Sequence, residues 1–94
     1  MFIIIGAGGH SKVVCSSLND NDFLDVQIRD DGIQKSKKRF LGKAIHSPAL
    51  TPNMNGTKLH VAIGDNFIRE QILMLGIERG GIESSIFHPS SFIH

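Results

Sequence analysis

The residues best suited to chemistry are the consecutive positions 6–10, which read Gly-Ala-Gly-Gly-His. They follow the apolar run Phe2-Ile3-Ile4-Ile5, which predicts a buried parallel strand, and they open a predicted helix that begins at Gly9. A glycine turn lets the backbone approach a ligand closely, and the first N–H groups of a helix attract anions because they lack partners within the helix. The pattern predicts a phosphate-binding turn of the nucleotide type; a ligand-free connection between strand and helix is the alternative.

Two adjacent carboxylates, Asp30 and Asp31, end the next predicted strand, about 20 residues after the glycine turn, where nucleotide-binding α/β domains place an acid for the ribose or base. Because neighbouring residues point in opposite directions along a strand, we expect at most one of them to point into the site. The alternative is a solvated Asp-Asp-Gly turn.

The same order of strand, turn and helix recurs in the second half of the chain. Residues 58–63 predict a strand, Gly64 a turn, and Asp65 the N-cap of a helix from Asn66 to about Leu75. The predicted buried face of that helix comprises Phe67, Ile68, Ile72 and Leu75.

Shorter elements are predicted between and after these two units. The first helix is expected to extend to Leu18, with Val13 and Val14 on its buried face, and to stop in the turn 19–22. The other predictions are a strand at 23–28, a basic mobile loop up to Leu41, a brief edge strand at 42–45, a short helix start at 47–50 and a last strand at 84–87. The loop cluster Lys35, Lys37, Lys38 and Arg39 is expected to be solvated, or else to act as a flap over a diphosphate.

Strands that alternate with helices predict an α/β fold, a small Rossmann-like three-layer domain with a short parallel sheet. Ligands of such sheets bind beyond the carboxyl ends of the strands, where the strand order reverses. We therefore expect three loops, 6–10, 29–32 and 64–69, to converge on one edge.

Composition limits the classes of function. The chain has 94 residues and a formal net charge of +1, so we expect one small domain and neither nucleic acid nor a membrane as partner. The single cysteine, Cys15, and the lack of a signal peptide or apolar span indicate a cytoplasmic protein, with Cys15 in the core. The histidines His46, His60 and His94 show no metal-ligand spacing, so no metal site is expected.

Four segments together resemble a known family. These are 2–14, the acids at 30–31, the run His-Val-Ala-Ile-Gly-Asp-Asn-x-x-Arg at 60–69 and His-Pro-Ser-Ser at 88–91. In this order they are similar to the N-terminal domain of the sugar O- and N-acyltransferases, which include sialic acid O-acetyltransferases and UDP-4-amino-sugar N-acetyltransferases. The resemblance implies a Rossmann-like domain that holds a nucleotide-sugar, such as a UDP-sugar, beside a left-handed β-helix of hexapeptide repeats that binds acetyl-CoA and forms homotrimers.

Carried over by position, the resemblance implies roles for single residues. Gly8, Gly9 and His10 would lie at the phosphates and nucleoside, and Asp30 and Asp31 would contact the uridine. Gly64 would bring the backbone close to the ligand, and Asn66 and Arg69 are weaker candidates. Asp65 is expected to cap its helix instead.

The β-helix of the family is absent from this sequence, and we expect residues 1–88 to form the nucleotide-sugar-binding domain and 89–94 to begin a linker. The family's catalytic histidine and acetyl-CoA site belong to that β-helix, so no catalytic residue is expected here, His88 included, and no cofactor is expected to bind this domain. The chain is interpreted as an excised or naturally truncated substrate-binding domain, inactive alone. A dinucleotide-binding or regulatory Rossmann module and an assembly domain with a lapsed site are the alternatives.

Overall fold

A six-stranded sheet with helices on both faces forms the framework of the protein. The computed structural model describes residues 1–32 and 39–84. Its elements are β1 (Phe2–Ile5), α1 (Gly9–Ser16), α2 (Asp20–Leu24), β2 (Val26–Arg29), β3 (Arg39–Phe40), β4 (Lys43–His46), β5 (Lys58–Val61), α3 (Asn66–Glu78) and β6 (Ile82–Glu83). The predicted α/β class with a Rossmann-like arrangement is confirmed.

The strand order β3-β4-β2-β1-β5-β6 reverses at β1. The chain passes from β1 to β2 on one side and later returns to β5 on the other side, and both pairings are parallel. Among the described strands, only β3 and β4 pair antiparallel. The carboxyl ends of β1 and β5 therefore flank the position where a ligand crevice is expected in this class of fold.

Alternate residues of the central strands build two cores. On one face Ile4, Val26 and Ile28 pack with Val14 and Cys15 of α1. On the other face Ile3, Ile5, Leu59 and Val61 form a second cluster, against which Ile72 and Leu73 of α3 pack. This alternation follows from the two-residue repeat of a strand, so a continuous apolar run such as 2–5 supplies both faces of a buried sheet.

The first helix differs from its prediction in length and orientation. It ends at Ser16 rather than Leu18, and Val13, expected in the core, is 68% exposed. The buried positions of α1 are Ser11, Val14 and Cys15. The predicted turn at 19–22 and the first two residues of the strand predicted at 23–28 form α2, and that strand begins only at Val26. The N-cap of α2, Asn19, accepts a hydrogen bond from the Asp22 N–H at 2.8 Å, because Asn19 is as good a helix cap as it is a turn former.

Helix α3 extends to Glu78, three residues past Leu75, and of its predicted buried face only Ile72 packs against the core. Phe67 is 68% exposed, and Ile68 and Leu75 are 44% and 40% exposed. Gly76 instead lies against the sheet, where a Cβ atom would be 2.9 Å from Cδ2 of Leu59. A glycine thus lies at a close approach of the helix to the sheet.

Two further segments differ from prediction. Residues 47–50 form no helix, and the Ser47–Pro48 peptide is cis. The predicted edge strand is β4, which is covered at its outer side by β3 and so is not the edge.

At the end of the described chain, β6 occupies Ile82–Glu83, before the strand predicted at 84–87. Residues 85–87 of that prediction, the basic positions Lys35, Lys37 and Lys38, and the boundary predicted at His88 lie outside the described residues. Within the described ranges, none of the helices has the length and apolar character that crossing a membrane requires.

Candidate functional site

The first residue of the glycine turn after β1, Gly6, is held by contacts with the backbone of neighbouring strands. Gly6 has a φ of +117°, and a Cβ atom there would lie 2.7 Å from the Ala62 carbonyl oxygen. Its N–H donates to the Arg29 carbonyl at 2.8 Å, and the Ala62 N–H donates to the Ile5 carbonyl at 2.8 Å. Gly6 is therefore required by the close approach of neighbouring strands at the point where the strand order reverses.

Helix α1 begins at this turn with its amino end lacking a side-chain cap. Its N-cap is Gly8, which supplies no side-chain oxygen, and its first turn contains no acidic residue. Gly9 and His10 are exposed. A Cβ atom on Gly9 would meet nothing within 4 Å, so the fold itself does not require glycine there. The N–H groups of the first turn receive no side-chain cap from Gly8 and no carboxylate from the helix itself, and so suit an anionic ligand.

The turn at the end of β5 differs from the turn after β1 because it places a negatively charged side chain at the start of its helix. Asp65 caps α3 by accepting a hydrogen bond from the Ile68 N–H at 3.0 Å, as predicted. A carboxylate already occupies this helix terminus and would repel a phosphate. Of the two strand-turn-helix units, the one at Gly8–His10 is thus the better anion site.

Asp30 links the carboxyl end of β2 to the glycine turn. Its Oδ2 accepts from the Ala7 N–H at 2.9 Å, and its Oδ1 accepts from the Gly32 N–H at 2.7 Å. The loops 6–10 and 29–32 are therefore joined directly. Contact of Asp30 with a ligand stays a prediction, while its described contacts make it a positioning residue for the turn.

Asp31 points elsewhere, as expected for neighbouring residues. Its Oδ1 accepts from the Ala49 N–H at 2.8 Å and so holds the segment after β4. Asp31 is exposed, and its predicted contact with a uridine is likewise not tested by these hydrogen bonds.

The third predicted loop brings Gly64, Asn66 and Arg69 together. A Cβ atom on Gly64 would meet nothing within 4 Å, as at Gly9. Arg69 donates from Nη1 to the Ile63 carbonyl at 3.3 Å, and its Nη2 contacts Oδ1 of Asn66. The guanidinium is half-buried and ties the first turn of α3 to the end of β5.

A cleft of about 340 Å³ opens beside the glycine turn, between α1, α3 and the β5–β6 edge. Val61 and Leu73 contribute apolar surface to its lining. Its polar lining consists of His10, His60, Arg69, Glu70 and Glu83. Sequence reasoning proposed His10 and Arg69 and missed the other three residues. The position of His60, near the end of a strand that leads into a glycine turn, was an available signal; Glu83 gave none, because β6 was expected later in the chain.

His60 is the half-buried imidazole of this cleft. Burial lowers its pKa, the backbone of Ser84 and the charge of Glu83 oppose that change, and His10 and Arg69 add to it. The direction of the pKa shift favours the neutral imidazole, which carries one donor and one acceptor nitrogen.

Two other groups near the turn serve the packing of α1. Ser11 stands where a dinucleotide fingerprint has its third glycine and is fully buried. Its hydroxyl lies near enough to lower the pKa of the Cys15 thiol, yet Oγ makes no hydrogen bond of ordinary geometry within the described residues. Burial has the larger effect and raises the pKa of Cys15, which lies in the core as predicted. Across the described residues, no cluster of three or more His, Cys, Asp or Glu has the arrangement of a metal site.

A comparison with protein-family models agrees with this architecture. The family model of the PglD N-terminal domain matches residues 1–75, which include β1, the glycine turn, both aspartates and most of α3. No curated protein and no solved structure matches the chain. The match covers most of the sequence, and the chain belongs to the PglD N-terminal domain family, the N-terminal domains of PglD-type sugar acetyltransferases.

Proposed function

We propose that the described domain binds the nucleotide-sugar substrate of a sugar acetyltransferase, with the diphosphate at the amino end of α1. The observation that carries this proposal is the contrast between the two helix termini. The terminus at Gly8 has no side-chain cap and opens at the strand-order reversal, whereas the terminus at Asn66 is already capped by Asp65. Family membership supports the sugar acetyltransferase context.

The nucleoside would lie on the β2 side of the glycine turn, near Asp31. Asp30 would keep the turn in place through its bonds to Ala7 and Gly32. His10, exposed in the first turn of α1, is suited to contact the phosphates by donating a hydrogen bond.

In this proposal, the groups that carry out acetyl transfer lie outside the described residues. Acetyl-CoA and the histidine that removes a proton from the sugar belong to the β-helix domain that the resemblance implies, in a homotrimer. This domain contributes positioning of the acceptor group, which lowers the entropic part of the barrier. Residues 1–88 would form the binding domain and 89–94 would begin the linker.

Gly9 offers a sharp test because its Cβ position is open. We expect Gly9→Asp to raise the Kd for UDP at least tenfold more than the uncharged Gly9→Asn does, since a carboxylate at the α1 terminus repels the diphosphate. Asn21→Asp adds the same charge to the exposed first turn of α2, at the other end of α1, and should leave the Kd unchanged. Isothermal titration calorimetry with UDP and NAD measures these constants, and thermal unfolding shows that each variant is folded.

The outcomes separate the alternatives. If the chain binds NAD but does not bind UDP, a dinucleotide-binding or regulatory module is favoured. No binding of either nucleotide by the wild-type chain would contradict the proposal and favour an assembly domain. Equal effects of Gly9→Asp and Asn21→Asp would place the diphosphate away from α1.

A further inference from the structure

The carboxyl edge of the sheet presents three different environments in a fixed spatial order. Moving from β2 through β1 to β5 and β6, it offers the aspartates 30–31, then the glycine turn, then the cleft that contains His60 and Glu83. With strands about 4.8 Å apart, the edge from β2 to β6 spans about 14 Å. A ligand with its diphosphate at the central turn therefore has one end near the aspartates and the other at the cleft.

The cleft is chemically rich in hydrogen-bond acceptors. Glu70 and Glu83 supply carboxylate oxygens. One nitrogen of His60 is engaged by the backbone of Ser84, which leaves the other as an acceptor when the imidazole is neutral. The guanidinium of Arg69 is engaged by the Ile63 carbonyl and Asn66. Such a lining fits groups that donate hydrogen bonds, and it disfavours a second anion.

The size and shape of the cleft fit one small ring. Its volume of about 340 Å³ lies at the lower end of the range of ligand pockets, which begins at about 300 Å³. Val61 and Leu73 provide an apolar surface beside the polar groups. This combination of one apolar patch and several acceptors suits the face and hydroxyl groups of a sugar ring.

We propose that this cleft is the sugar compartment of the site, and that His60 and Glu83 select a hydroxyl-rich ring that carries no negative charge of its own. The inference rests on the proposed function, since it assigns the second half of the same ligand. It adds three residues, His60, Glu70 and Glu83, that neither the glycine turn nor the aspartates indicated. These residues bind and select the ring and take no part in bond making.

The test compares three ligands that share one nucleotide: UDP, UDP-glucose and UDP-glucuronate. For the wild-type chain we expect UDP-glucose to bind at least fivefold more tightly than UDP, and UDP-glucuronate to bind more weakly than UDP-glucose. Glu83→Gln removes the negative charge of an exposed side chain and should narrow the difference between glucose and glucuronate by at least threefold. His60→Gln should reduce the advantage of UDP-glucose over UDP, with the Kd for UDP itself changed less than twofold.

Glu78→Gln is the matched control, because Glu78 is exposed on α3 but lines a different cleft, with Arg79. It should leave all three constants unchanged. If UDP does not bind the wild-type chain, the proposed function fails. If UDP binds but His60→Gln and Glu83→Gln keep the same preferences among the three ligands as the wild type, the sugar compartment lies elsewhere and the proposed function stands.

Discussion

At the scale of single residues, the two aspartates after β2 show how adjacent, chemically identical side chains take different tasks. Asp30 accepts from two backbone N–H groups and joins its own loop to the glycine turn. Asp31 accepts from the Ala49 N–H and holds the segment after β4. An acid at the end of the second strand was predicted to contact a nucleotide. In its described contacts, Asp30 stabilises the glycine turn that would bind the nucleotide.

Asp30→Ala should destabilise the protein more than Asp31→Ala does. Removing the Asp30 carboxylate leaves two backbone N–H groups without their acceptor, and removing the Asp31 carboxylate leaves one. Each lost bond lowers the stability by about 1 kcal/mol. We expect losses of about 2 and about 1 kcal/mol in the free energy of unfolding, measured by urea denaturation. The exposed control Glu78→Gln should stay within about 0.5 kcal/mol of wild type. Equal stabilities of the two aspartate variants would show that the Asp30 bonds to Ala7 and Gly32 together contribute no more than the single Asp31 bond to Ala49.

At the scale of elements, the two strand-turn-helix units differ in how their helices begin. Helix α1 begins at a glycine without a cap, and α3 begins at Asp65 with a side-chain cap. A helix without a cap is less stable, so the amino end of α1 gives up stability where a ligand can supply the missing acceptor. The amino end of α3 is stabilised by the chain alone.

Asp65→Ala should therefore destabilise the protein by about 1 kcal/mol, while Asp65→Asn should stay within about 0.5 kcal/mol of wild type, because asparagine caps helices as well as aspartate. Thermal and urea unfolding measure both variants. The affinity for UDP should be unchanged in Asp65→Asn if the diphosphate binds at α1. A large gain in UDP affinity on this loss of negative charge would indicate that the α3 terminus is the anion site instead.

At the scale of the whole molecule, the sequence predicted the α/β alternation and the convergence of loops better than it predicted helix faces. The run 2–5 and the glycine after it predicted β1 and the turn because strand apolarity and glycine chemistry are local properties. The buried face of α3 was predicted correctly only at Ile72, because apolar residues surround the helix. Only the tertiary contact of Gly76 with Leu59 decides which of them face the sheet.

The cleft illustrates the same limit for the site. His60, Arg69 and Glu83 lie on β5, α3 and β6, and they meet only because β6 pairs with β5 beside α3. That pairing depends on a two-residue strand, Ile82–Glu83, which has too short a pattern to be predicted. The glycine turn and the aspartates could be found from spacing, whereas the cleft required the fold.

The half-buried imidazole of His60 in the cleft makes the stability of the whole molecule depend on pH. The folded state lowers the pKa of His60 below its ordinary 6.5, chiefly by burial, with His10 on α1 and Arg69 on α3 adding to that effect and Glu83 on β6 opposing it. The unfolded chain therefore takes up the proton first as pH falls. Stability should be fully present above about pH 7 and should decrease as pH falls through 6.5 toward the folded pKa, by at most about 1.4 kcal/mol per pH unit from this group.

His60→Gln should flatten this part of the profile of unfolding free energy against pH, measured by urea denaturation between pH 5 and 8 in steps of about half a unit. The exposed His46→Gln at the end of β4 is the control and should keep the wild-type slope. Because both variants remove one imidazole, the difference between their slopes isolates the effect of burial at position 60. Parallel profiles for the two variants would mean that burial does not lower the pKa of His60 and that its imidazole is solvated in the folded protein.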